Sequence, residues 1–219
     1  GTGPPIHLFA YSPSRSTEAA ERLYVGVRAG AVLMSDGYEV YSKIARAHRL
    51  VHLGCWAHAR RYFHDAVQAL PKNSRGPQQV AVRFIDLIAK LYQVESLAKE
   101  AGLDHEGLKL RRQTHSKLVL KDIEELLLVN LHAVLPGSLL GKALHYLASQ
   151  WPKLVRFVDD GHYPLDNNAC ENAIRPFVVG RRNWLFADTV AGANASANLY
   201  SLLQTCVVNG IDGYRYLKA

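Results

Sequence analysis

Cysteine is scarce in this sequence: Cys55, Cys170 and Cys206 are scattered along 219 residues. So few, so spread, cannot build a disulfide framework, and they suit a reducing compartment. Long apolar runs are missing too. None approaches the ~18 residues of a membrane span, and the start carries no charged-then-apolar leader. There is no internal repeat and no low-complexity tract. Cys55 and His58 stand three residues apart, a spacing that lets both reach one metal ion. No second Cys/His pair stands at finger spacing, and two ligands do not make a zinc site. The chain does not begin with Met; "GTGPP" reads as a loop-like lead-in, as in a piece of a longer protein.

What is present is the composition of a folded protein. At 219 residues, 48% hydrophobic and 21% charged, the chain can hold one large domain, or one domain with an insertion. The net charge of +7 and sequence pI of about 9.4 fit a polyanionic partner and say nothing about fold.

Taken in order, residues 6–11 read as a buried strand bounded by prolines. Ser16 or Thr17 caps a helix running to about Ala29, and Gly30 ends it. Residues 31–34 form a second apolar strand that stops at Ser35-Asp36-Gly37. Asp36 therefore stands at the carboxyl end of a buried strand, where ligands gather in open α/β sheets, or in a plain Asp-Gly turn. Residues 38–47 are helical, and 49–54 form a third strand-like piece. From Cys55 another helix opens. Cys55 and Trp56 read as packing residues. His58, Arg60 and Arg61 are candidates for phosphate contact or for support of an acidic site; Arg60 and Arg61 equally suit a solvated face.

From residue 71 to about 160 strand signals vanish. Helical periods run over 79–101, 104–135 and from Ser138 onward, with Pro152 kinking or restarting the last. The basic run Lys109-Leu110-Arg111-Arg112 is expected on a solvated face. Residues 164–176, "PLDNNACENAIRP", read as a short helix capped by Asp166 or Asn167 and ended by Pro176. Cys170, Ala173 and Ile174 share its apolar face; Asn167, Asn168, Glu171 and Arg175 share the polar one. Glu171 and Arg175 at i, i+4 make an ordinary ion pair of ~0.3–0.5 kcal/mol, or part of a metal-and-phosphate site. Residues 177–186, "FVVGRRNWLF", read as a strand with Arg181 and Arg182 at its centre.

Five stretches in one order carry a resemblance. "YSPSRS", "MSDGYEVY", "GCWAHARRYF", "DNNACENAIRPFVVGRRNWLFA" and "LYSLLQTCVVNGIDGYRYL" together resemble the transposases of the insertion sequence 66 family. The resemblance covers nearly the whole chain. It implies an α/β fold, a partial RNase H-like (DDE transposase) core interrupted by a helical insertion. The divisions are 1–70 for the first part of the core, 71–160 for the insertion, and 161–219 for the rest of the core and the C-terminal segment. It implies that Asp36 is the second aspartate and Glu171 the glutamate of the DDE triad, catalytic residues that bind Mg²⁺ or Mn²⁺. Arg60, Arg61, Arg175, Arg181 and Arg182 would contact DNA; His58 and Asn168 would support the site. Trp184 packs on nucleic acid or in the core.

The implied chemistry is hydrolysis at transposon ends, followed by attack of the freed 3′-hydroxyl on target DNA. Two divalent ions ~3.5–4 Å apart would assist both steps. The pattern departs in one respect: the only acidic residues before Asp36 are Glu18 and Glu21, on a helix, and neither resembles the first aspartate. The expectation is a C-terminal fragment lacking that ligand and inactive alone. Asp159, Asp160 and Asp166 are conceivable replacements that the motif does not support. A non-catalytic DNA-binding remnant of a decayed element is the alternative, and an unrelated metal nuclease of similar fold a weaker third. The expected partners are DNA, further copies of the chain and accessory proteins of the element, in a bacterial cytoplasm at the nucleoid, with no membrane. An exposed strand edge would favour self-association.

Overall fold

The computed structural model describes residues 3–14, 16–184 and 187–219. The chain divides into two compact units, Tyr24–Asn167 and Gly1–Leu23 with Asn168–Ala219.

The first unit begins with a short parallel pair. Strand β1 (Val32–Ser35) and strand β2 (Val51–Gly54) are mostly apolar runs of four residues, joined by helix α2 (Glu39–Ala47). Their register is Val32↔Val51 through Ser35↔Gly54, so both carboxyl ends finish level. Arg49 adopts a left-handed φ of 55°, turning the chain from α2 into β2 within a few residues.

Helix α3 (Trp56–Gln68) leaves β2 directly. It packs into one core with α4 (Val80–Glu100), α6 (Lys117–Leu131) and α7 (Leu139–Leu154). Phe63 of α3 and Phe84 of α4 stack with ring centroids 4.3 Å apart. Trp56 is fully buried, its indole N–H donating to the Leu154 carbonyl at 2.9 Å. The 3.6-residue period foretold these helices because each buries one stripe against the others. Pro152 lies inside α7, which continues although the Ala148 carbonyl loses its usual donor.

Between α5 (His105–Arg111) and α6 the helix widens into a π turn over Arg112–Ser116. The extra residue rotates Arg112 inward, and this corrects the expectation of a solvated basic run. Arg112 is 2% exposed. Its Nε and Nη2 donate to the two Glu95 carboxylate oxygens at 2.8 and 2.7 Å. Its Nη1 donates to the carbonyls of Phe157, Asp160 and Tyr163 at 2.8, 2.8 and 3.0 Å.

The second unit holds α1 (Thr17–Glu21), α8 (Asn168–Trp184), α9 (Val190–Val208) and α10 (Gly213–Lys218). Ser16 caps α1 through a bond from the Ala19 N–H, as expected, but the α-helix stops at Glu21 instead of near Ala29. A 3₁₀ turn over Arg22–Tyr24 and Gly26 at a φ of +78° end it.

Residues 6–11 form no strand among the described residues and are not a buried run, Ile6 and Leu8 being exposed. Helix side chains take the ladder's place. The His7 N–H donates to Thr205 Oγ1 at 3.0 Å, and the Phe9 N–H to Ser201 Oγ at 2.8 Å. Asn209 Nδ2 donates to the Pro5 carbonyl at 2.9 Å. Two extended residues advance ~6.6 Å and four helical residues ~6 Å, so an i, i+4 row of α9 matches alternate residues of the segment.

The largest correction concerns α8. Pro176 does not end it, and residues 177–184 are helical where a strand was expected; Leu185 and Phe186 lie outside the described residues. Phe177 meets Tyr200 of α9 edge-on, ring centroids 5.2 Å apart. Of Phe177-Val178-Val179, Phe177 has this helical neighbour while Val178 and Val179 are exposed, and proline costs the helix a bond without stopping it.

Candidate functional site

The level carboxyl ends of β1 and β2 bring Asp36 and Cys55 out of the sheet side by side. Asp36 turns back on itself: its Oδ1 accepts from the Tyr38 N–H at 3.1 Å, and its carbonyl accepts from the Tyr146 hydroxyl at 2.7 Å. Gly37 makes this turn with a φ of +96°, and a Cβ there would press on Tyr146 and Gln150 of α7 at 3.1 and 3.2 Å. The glycine after Asp36 is thus required twice, by backbone conformation and by close approach.

Cys55 is fully buried and carries a different task. Its thiol donates to Asn167 Oδ1 at 3.0 Å, and the Asn167 N–H returns a bond to the sulfur at 3.4 Å. Beside it the Trp56 N–H donates to the Leu165 carbonyl at 3.2 Å. The Tyr92 hydroxyl of α4 donates to Asp166 Oδ2 at 2.8 Å. Burial pushes the Cys55 thiol pKa up and, helped by Asp166, the Tyr92 phenol up as well. Both groups are neutral donors at physiological pH. Three ties therefore fix residues 165–167 against the amino end of α3 and the side of α4. The carboxylate of Asp166 faces a hydroxyl, which sequence reasoning gave no means to see, since Tyr92 is 74 residues away.

His58 is half-buried in the first turn of α3, and Arg60 and Arg61 are exposed on the same helix. Tyr62 stacks on Tyr146 with ring centroids 4.4 Å apart and an interplanar angle of 25°. Asp36, Tyr146 and Tyr62 thus meet around the end of β1, with the Arg61 charge acting on Tyr146. Neither tyrosine was marked by the sequence.

In the second unit, Asn168 opens α8 and Glu171 is half-buried in its first turn. Arg175 and Arg182 are exposed, four and eleven residues further along the helix from Glu171. Arg181 lies within α8, but its side chain, with that of Trp184, falls outside the described residues. The expected apolar face is mostly open: Cys170 and Ile174 are exposed and Ala173 is buried.

Under the site, His52 of β2 sits in the sheet with its Nε2 2.8 Å from Ser35 Oγ. Burial, with the positive charges of Lys153 and Arg156, lowers its pKa from the ordinary 6.5 to about 4. Between those values the unfolded chain binds a proton that the folded chain does not. Stability is therefore full above pH 6.5 and falls as pH drops toward about 4. Melting temperature against pH should show this decline, flattened in His52→Gln; superimposable profiles would contradict it.

The comparisons with known proteins bear on what these residues do. The family model described as "Transposase IS66 family" matches residues 1–195. The chain belongs to the IS66 transposase family. Three relatives from Sinorhizobium fredii (strain NBRC 101917 / NGR234) match this chain along nearly its whole length. "Uncharacterized protein y4qI" is 31% identical over 225 residues, covering 100% of this chain and 40% of the relative. "Uncharacterized protein y4jD" is 32% identical, covering 99% of this chain and 42% of the relative. "Uncharacterized protein y4hP" is 30% identical, with 99% and 40% covered. The chain spans about two-fifths of the length of these curated relatives. No solved structure matches it. Among the described residues no helix is long and apolar enough to cross a membrane.

Proposed function

We propose that this chain is part of a DDE transposase with an RNase H-like catalytic core, acting in DNA transposition. The observation that supports it best is the placing of Asp36. Within an IS66 family chain, it stands at the carboxyl end of a strand in a parallel pair, on a turn that needs its following glycine. In this reading Asp36 and Glu171 are the metal-binding carboxylates. Arg60, Arg61, Arg175, Arg181 and Arg182 contact the DNA backbone, and His58 and Asn168 support the carboxylates. The longer protein would use Mg²⁺ or Mn²⁺ to cut phosphodiesters at transposon ends and join them to target DNA.

The donors fit only part of that task. Mg²⁺ prefers carboxylate oxygens, which Asp36 supplies. Among the described residues, however, no three His, Cys, Asp or Glu side chains group together in a way that could hold a metal ion. Cys55 does not add to the set, because its thiol is buried and held neutral against Asn167. Such a donor set suits at most one weakly held ion and does not support a two-ion cleavage site. In this reading the chain contributes DNA contacts and two carboxylates to the enzyme and is inactive by itself; a non-catalytic DNA-binding remnant of a decayed element is the alternative.

Fluorescence anisotropy of a labelled duplex against salt tests the reading. The expected result is tight binding at low salt that weakens linearly in log–log form, as counterion release demands. No binding at low salt would overturn it.

A further inference from the structure

The stacked tyrosines at the end of β1 are more than a packing pair. Tyr62 is 41% exposed, although its ring already rests on Tyr146. Tyr146 is locked in place, since its hydroxyl donates to the Asp36 carbonyl and its ring edge lies where a Gly37 Cβ would be. Burial keeps that hydroxyl protonated. The pair is thus a rigid aromatic surface at a fixed distance from the Asp36 carboxylate. Exposed Arg61 precedes Tyr62 in α3 and its charge acts on Tyr146, so a cationic side chain lies beside the aromatic surface. An exposed aromatic face beside an arginine is one way proteins hold unpaired bases, the ring taking the base and the cation the backbone.

Resting on the reading above, we propose that the Tyr62–Tyr146 stack is a nucleobase platform, on which an unpaired base of the DNA lies beside Asp36. The ligand class is single-stranded or locally unpaired DNA, and Tyr62 is the residue that touches it.

The test uses the whole chain and a single-stranded oligonucleotide carrying one 2-aminopurine, whose fluorescence falls when it stacks. Tyr62→Leu keeps apolar volume without an aromatic face; Tyr62→Trp keeps the face. Expected are quenching by the unaltered chain, its loss in Tyr62→Leu with about tenfold weaker binding, and its retention in Tyr62→Trp. The salt slope should be the same in all three, because no phosphate contact changes. Circular dichroism confirms that each variant is folded. Equal quenching and affinity in Tyr62→Leu would overturn the platform and leave the DNA-binding reading standing, as would loss of quenching in a folded Tyr62→Trp. No binding of any oligonucleotide at low salt would overturn both.

Discussion

Arg112→Ala should cost the first unit about 3–5 kcal/mol, the scale for breaking a buried, hydrogen-bonded ion pair from one side. Arg112 directs its donors at five oxygens on two segments: the Glu95 carboxylate of α4 and, in residues 157–163, the carbonyls of Phe157, Asp160 and Tyr163. Its guanidinium carbon lies 5.3 Å from the Phe157 ring centroid. Truncation strands these acceptors, and water reaches them poorly. Against a total stability of roughly 5–15 kcal/mol for a domain, the loss should shift a urea unfolding midpoint strongly. Arg112→Lys should recover only part of it, since an ammonium cannot bind a carboxylate in two places while serving carbonyls on the other side. A midpoint shift worth under about 1 kcal/mol would mean that the arginine is replaceable by solvent. The contact matters to the site because residues 157–163 lead directly into the 165–167 segment tied to Cys55 and Tyr92.

Replacing Arg60 and Arg61 together by alanine should weaken duplex binding roughly tenfold per lost phosphate contact near 0.1 M salt. The slope of log affinity against log salt should become shallower by about two. Both side chains are exposed, so a matched melting temperature would separate this effect from unfolding. An unchanged slope would place the two arginines on a solvated face, the ordinary destiny of such residues.

The sheet and the main helices were legible because each depends on local pattern. The runs at 32–35 and 51–54 are short and mostly apolar, the first ended by Asp36-Gly37, and α3, α4, α6 and α7 repeat their apolar positions at the helical period. Asp36 could be placed for the same reason: a strand that stops at Asp-Gly puts its carboxylate at the sheet's end. What failed was decided by partners distant in sequence. Residues 6–11 have strand chemistry, but the His7 and Phe9 N–H groups find the hydroxyls of Thr205 and Ser201 in α9 almost 200 residues away. Phe177-Val178-Val179 look like a strand until Tyr200 gives Phe177 a helical neighbour. Arg112 looks solvated until the π turn swings it toward Glu95. The tyrosines at 62, 92 and 146 are unremarked in a one-dimensional reading because hydroxyl partners leave no periodic trace.

The most direct test of the proposed role is metal binding by the two carboxylates. Mn²⁺ would be titrated into the whole chain, Asp36→Asn and Glu171→Gln, with water-proton relaxation and thermal stability as readouts. The expected result is one weakly bound ion in the unaltered chain and its loss in each variant, with all three folded by circular dichroism. Binding that is the same in all three, or absent from all three, would contradict the assignment of Asp36 and Glu171 as metal ligands.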